Sequence, residues 1–219
     1  MPVTQIETTP VWANFLDLAN DVKPYLQFPA SSVTSDVQLQ TVVDMCCTWV
    51  QNYLGRPIAP TEFFRRFSGW SGLNGAYINL PYCPVLSMVS VVEYRGTSGP
   101  FLLTEQTPSH QVGGQEVYQM DYLRGTVIRT FMGLVQRPWF PGSRNIEITW
   151  VAGYNPVPPD IRVAALELVG HWWRNTQQAS RSGPMPTGYD PENPAAGMFA
   201  AIPHRVEALL SQYSRQGLG

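Results

Sequence analysis

Residues Asn145 to Val169 read NIEITWVAGYNPVPPDIRVAALELV, and this stretch decides the fold class. Its opening alternates: Ile146, Ile148 and Trp150 share one side, Glu147 and Thr149 the other, which predicts a half-buried strand over Asn145–Ala152. After Gly153 the period changes. Pro158 and Pro159 pre-set a first helical turn, and the Asp160 carboxylate suits the positive end of a helix dipole. Ile161, Ala164, Ala165, Leu168, Val169, Trp172 and Trp173 follow at helical spacing, with an end expected near Gln178. One segment thus leaves a sheet and enters a helix.

Upstream, strand patterns extend back to about Glu62: Glu62–Ser68, Ala76–Leu80, Ser87–Arg95, Glu116–Met120 and Thr126–Phe131. Turn chemistry separates them at Gly72–Gly75, Gly96–Pro100, Gly113–Gly114 and Pro138–Gly142. Before the strands, Leu39, Val42, Val43, Cys46, Trp49, Val50 and Tyr53 recur as a helix. Ser35 and Gln38 have capping-box spacing at its start, and Gly55 and Pro57 end it. A shorter helix is expected over Asp17–Leu26, interrupted by Pro24. A last helix starts at Pro203, with an apolar stripe of Val206, Leu209, Leu210 and Tyr213.

The expected architecture is α+β: a small bundle of about four helices with an inserted antiparallel sheet or small barrel. A long loop precedes the C-terminal helix. The segments are a flexible arm (1–14, with Val11 and Trp12 as anchors), helical parts at 15–60 and 155–179, and a β subdomain at 61–154. An extended loop at 180–202 and the C-terminal helix and tail at 203–219 complete the chain.

Charged residues are only 14% of the chain, against about a quarter in ordinary proteins. Such a surface suits extensive contact with other subunits, or a monomer with long neutral loops. Net charge is −2, without the basic footprint of a protein that grips nucleic acid. Lys23 is the only lysine beside thirteen arginines, which reflects coding bias or the better interface chemistry of the guanidinium fork. Cys46, Cys47 and Cys83 lack metal-ligand spacing and read as small apolar residues from a reducing compartment. The N-terminus has no charged-then-apolar leader pattern, and no apolar run approaches the roughly 20 residues of a membrane span.

A search for chemistry finds little. His110, His171 and His204 have no partner at metal-ligand spacing, and Gly69, Gly72 and Gly75 lack the G-K-[ST] of a phosphate loop. Glu105, Glu116, Asp121 and Glu147 are scattered through the β region, where solvation is the expected role and paired acid–base work the alternative. No catalytic, cofactor or metal residue is assigned. Aromatics are abundant. Trp139 and Phe140, between two prolines, read as a contact tip or as a loop folded onto the sheet, and Tyr189 and Phe199 mark the long loop as a second contact surface or as a disordered segment.

Three segments carry a resemblance. They are Asp21-Val22-Lys23-Pro24-Tyr25-Leu26 with the later Tyr53-Leu54-Gly55-Arg56; Leu80-Pro81-Tyr82-Cys83-Pro84-Val85-Leu86-Ser87-Met88-Val89-Ser90-Val91; and Ile148 to Tyr154 followed by Val157 to Val169. In this order and spacing the chain resembles the head–tail connector (adaptor, head-completion) proteins of tailed bacteriophages. It departs from their smaller, mostly helical members by its β region and its long loop.

The resemblance implies a non-enzymatic virion protein, made in the host bacterial cytoplasm, that forms a ring, usually of twelve copies, beneath the portal protein. DNA would pass through the lumen without sequence-specific binding. The ring would offer a platform to the next neck or tail-completion protein, with no membrane and no cofactor involved. It further implies that the C-terminal segment docks on portal, making Ile202, His204, Arg205, Val206, Leu209, Leu210, Tyr213 and Arg215 portal contacts. Trp139, Phe140, Tyr189 and Phe199 are then subunit or neck contacts. Another phage structural protein, for tail completion or on the capsid, is the alternative, and a phage-encoded enzyme is a more distant one.

Overall fold

The structure, a computed structural model, describes residues 12–29, 31–70, 75–107, 116–131, 135–181 and 202–214. The chain divides into two compact units: Ala59–Asn155 with Trp12 and Ala13, and Asn14–Ile58 with the chain from Pro156 onward. Tyr189, Phe199, Arg215 and His110 lie outside the described residues, as does most of the 180–202 loop. No described helix is long and apolar enough to cross a membrane.

The first unit is β. Its strands are β1 Thr61–Gly69, β2 Tyr77–Asn79, β3 Val85–Arg95, β4 Ser98–Leu102, β5 Thr104–Glu105, β6 Val117–Asp121, β7 Thr126–Phe131, β8 Val135–Gln136 and β9 Gly142–Ala152. One antiparallel sheet has the order β1-β9-β3-β4; the other runs β2-β7-β6-β5 with β8 also on β7, and its β5–β6 pair is parallel. The sheets do not close into a barrel.

The alternation read from the sequence places Ile146, Ile148 and Trp150 of the central strand in the core, each 1% exposed or less. They pack with Phe63, Val91, Tyr118, Met120, Val127 and Trp139 in one cluster drawn from both sheets. Trp12 packs against this cluster and meets Tyr82 edge-on, 6.1 Å between centroids. Gly96–Pro100, read as a turn, is a turn only at its start: Gly96 takes φ +58 and β4 begins at Ser98. Pro100 lies in that strand, which is tolerated because β4 is an edge.

The second unit is helical. A π-helical turn, Leu18–Val22, runs into α1 (Lys23–Tyr25); α2 is Asp36–Leu54, α3 Pro159–Arg181 and α4 His204–Ser214. Asp17 caps the first turn by accepting the Asn20 N–H at 2.6 Å, while Asp21 accepts the Asp17 N–H at 2.9 Å. Ser35 precedes α2 as expected, but its side chain caps nothing: at ψ 6 it lacks the extended backbone that aims a hydroxyl at the helix N–H groups. Near that end Lys23 donates to the Ser32 carbonyl and to the Asp36 carboxylate, each at 2.8 Å. Gly55 closes α2 at φ +65.

Val43, Cys46, Val50, Ile161, Ala165, Leu168, Val206 and Leu210 are wholly buried in this unit. The Cys46 thiol donates to the Ala165 carbonyl at 3.2 Å, and burial pushes both its pKa and that of Cys47 upward, so these residues serve packing.

Candidate functional site

The proline-flanked pair Trp139-Phe140 is sorted by the structure. Trp139 is 1% exposed, and its indole N–H donates to the Ala76 carbonyl at 3.0 Å while its backbone N–H donates to the Gly75 carbonyl at 2.9 Å. It is a core residue, so the contact expectation narrows to its neighbour. Phe140 is 40% exposed. Both of its peptide groups are held: the N–H donates to Glu93 Oε1 at 2.8 Å, and the carbonyl accepts from Asn145 Nδ2 at 2.8 Å.

Behind this segment lies an ionic cluster that the sequence did not reveal. Glu93 and Arg129 are 1% and 0% exposed. Arg129 Nη2 lies 2.6 Å from Glu116 and 3.5 Å from Glu93, and Arg129 Nη1 also donates to the Thr130 carbonyl at 2.9 Å. Arg95 donates to Glu93 and to both oxygens of Glu116, and its guanidinium covers the Phe101 ring at 4.3 Å. Two carboxylates thus face two guanidiniums that do not deprotonate, which leaves no poised acid or base.

Burial alone would raise the Glu116 pKa, but Arg95, with Arg129 and Arg137, overrides it and holds Glu116 below its ordinary value. A carboxylate with a depressed folded pKa contributes stability that is complete above its unfolded pKa, near 4.3, and is lost as pH falls through the folded value. The urea midpoint is therefore expected to drop below about pH 4, and Glu116→Gln to flatten that drop. An identical acid limb in the variant would remove Glu116 from the acid response.

Glu147, Glu105 and Asp121, the other carboxylates singled out in the β region, have structural bonds. Glu147 accepts from Arg66 Nε at 2.8 Å and from the Tyr94 hydroxyl at 3.0 Å. Glu105 accepts the Tyr122 hydroxyl at 2.7 Å. Asp121 accepts the turn N–H groups of Leu123 and Arg124 at 3.2 and 3.1 Å.

The residues expected to meet portal divide along α4. Val206 and Leu210 are wholly buried in their own unit, which removes them from any external contact. The helix is also pinned: Arg205 pairs with Glu167 at 3.2 Å, Gln212 donates to Asp160 at 3.0 Å, and Arg56 Nη2 caps the Tyr213 carbonyl at 2.6 Å. His204 and Arg205 are exposed, and Ile202, Leu209 and Tyr213 are half-buried. His171 is half-buried, 3.2 Å from the Asn175 amide. An open groove of about 370 Å³ beside α2 and α3 is lined by Gln38, Thr41, Val42, Met45, Trp173, Thr176 and Gln177, without an acid or base. Among the described residues no three His, Cys, Asp or Glu side chains are grouped to hold a metal.

No family model and no curated protein sequence matches the chain. Solved structures do. A chain from the neck of an empty gene transfer agent (GTA) particle, computed with C6 symmetry, is similar at a TM-score of 0.56 and 16% identity, over 95% of this chain and 93% of that one. A chain in the virion of a native GTA particle gives 0.55 and 16%, over 94% and 92%. A chain from the neck of a native GTA particle, computed with C12 symmetry, gives 0.51 and 16%, over 89% and 88%. The α+β fold expected from the sequence pattern is therefore the fold shared with these chains.

Proposed function

We propose that this chain is a structural neck protein of a phage-like particle, a head-to-tail adaptor that forms a ring below the portal. The supporting observation is the fold likeness, along 95% of this chain, to a chain from a GTA neck. In this reading the ring extends the DNA channel and is a platform for the next neck or tail protein, and the subunit is a virion component with no catalytic task. A net charge of −2 suits a conduit, because strong phosphate neutralisation would hold the DNA that must slide.

Mixing the protein with portal rings of the same particle and measuring the mass of the complex tests the reading. Saturation at a fixed number of subunits per portal ring, as closed symmetry requires, supports it. No addition across a range of salt and concentration rejects the portal-bound adaptor in favour of another neck, tail or capsid role.

The portal contact falls to the exposed side of α4 and the tail beyond it. Deleting Ile202–Gly219 would strip Val206 and Leu210 from a core, confusing folding with binding. Ending the chain at Ser214 avoids this. The shortened protein is expected to unfold at the same urea concentration and to lose at least about tenfold in portal affinity. Unchanged affinity would remove the tail from the contact.

A further inference from the structure

Strand β1 closes its sheet with one side open. The Leu103 N–H donates to the Val91 carbonyl at 2.8 Å, so Val91 turns its backbone toward β4 and the adjacent Val92 turns toward β9. Hydrogen bonding alternates in this way along every strand of an antiparallel ladder. Glu147, the partner of Val92, therefore faces β3, while Ile146, Ile148 and Trp150 face β1. Their partners Phe67, Arg65 and Phe63 direct their backbone groups to β9, which leaves those of Glu62 and Phe64 pointing away from the sheet. Among the described residues no strand lies on that side. An open edge of nine residues invites pairing, and proteins commonly block such edges with proline. The opposite edge, β4, carries Pro100, whereas β1 carries none.

A segment of the same chain starts beside this edge. Trp12 packs against the core cluster and meets Tyr82, and Tyr82 in turn meets Phe63 of β1 at 4.6 Å between centroids. Eleven residues precede Trp12. Extended, they reach about 36 Å, against roughly 30 Å for the length of β1. Five of the seven residues from Val3 to Thr9 are β-branched, a strand composition, and Pro2 and Pro10 bound them.

We propose that the open edge of β1 is the docking site of this chain's own N-terminal arm, with Val3–Thr9 added as an antiparallel strand. Trp12 points into the core, so along an extended arm the even-numbered residues share its side and the odd-numbered ones face away. With Trp12 level with Thr61, Ile6 comes opposite Phe67, which is half-buried on the core side. Glu7 then comes opposite Arg66 on the outer side, beside Glu147. An apolar pair and an opposite-charge pair fall into place together, and a shift by two residues loses both. In this register the odd-numbered arm residues exchange hydrogen bonds with Glu62, Phe64 and Arg66. Pro2 and Pro10, both even-numbered, turn their missing N–H to solvent, where an edge strand tolerates proline. The docked arm thereby closes the edge to pairing between copies.

Backbone hydrogen exchange of the full chain tests this. The outward-facing Phe64 amide is expected to be protected, and to exchange at least about tenfold faster once residues 1–9 are removed. Glu7→Pro, which deletes an N–H that donates to β1, is expected to act in the same direction. Thr8→Pro, at a position whose N–H faces solvent, is expected to leave Phe64 protected. The Ile148 amide, bonded between β9 and β1, reports that the sheet itself stays folded in each variant.

Fast exchange at Phe64 in the full chain, or protection that survives removal of the arm, would overturn the proposal. Equal losses from the two proline variants would overturn the register. Protection that rises with protein concentration would assign the edge to the arm of a second copy and overturn docking within one chain.

Discussion

Arg129→Met is expected to lower the free energy of unfolding by about 3–5 kcal/mol, among the largest single-residue effects in this chain. Methionine keeps much of the volume, so the loss is electrostatic. Glu93 is 1% exposed and would retain only Arg95 as its cation, and the Thr130 carbonyl would lose a donor. Breaking a buried pair from one side costs far more than the pair contributes, because the remaining charge stays desolvated. Glu93→Gln in the same chain removes that charge, so the double variant is expected to be more stable than the sum of the single changes predicts. Urea unfolding of the four proteins measures the coupling. A loss below about 1 kcal/mol for Arg129→Met would mean that Arg95 alone satisfies both carboxylates.

Gly153→Ala is the second severe change. Gly153 sits at φ +133, a region L side chains rarely enter, and its N–H donates to the Pro84 carbonyl at 3.1 Å. An added Cβ would meet the Ala59 carbonyl oxygen at 2.6 Å, its carbon at 2.8 Å and the Pro60 nitrogen at 3.0 Å. All three are backbone atoms, so no side-chain rotation relieves the overlap. Backbone strain and overpacking together are expected to cost about 4 kcal/mol. The check is the urea midpoint of the purified variant. A shift equivalent to less than about 1 kcal/mol would show that the turn moves as a unit.

Gly153 also marks what a sequence can disclose. The strand before it and the helix after it are legible because one period of two and one of 3.6 meet there, and each follows from which side chains face a core. The β7 strand, Thr126–Phe131, is found with the bounds its pattern predicts. β4 was hidden because Gly99 and Pro100 imitate a turn, and only its place at a sheet edge makes proline acceptable. Ser35 and Gln38 gave the opposite error: the spacing is right, but backbone angles decide whether a hydroxyl reaches its donor.

The candidate surface was half legible. Two aromatic residues between prolines announce an unusual segment, but Trp139 and Phe140 are equivalent in sequence until the Ala76 carbonyl and the Glu93 carboxylate choose which one turns inward. Nothing local connects Glu93 to Arg129, or Asn145 to Gly69 and Tyr94. The Asn145 links exist only after β9 has been laid between β1 and β3, and the Glu93–Arg129 link only once β3 of one sheet meets β7 of the other. On α4 the apolar stripe was correctly seen as a face, yet a stripe cannot say whether its partner is the same chain or another one.

The burial of Lys23 affects how the contacts of this chain can be mapped. As the chain's only lysine, fastened to the Ser32 carbonyl and Asp36, it is the sole side-chain amine and is 5% exposed. Amine-reactive reagents, the common currency of proximity mapping by mass spectrometry, would find almost nothing to modify here. The subunit would leave gaps in a lysine-based contact map even when present at full occupancy. Carboxylate- or arginine-directed reagents would reveal it, and slow modification of Lys23 would report the local opening of the turn that holds it.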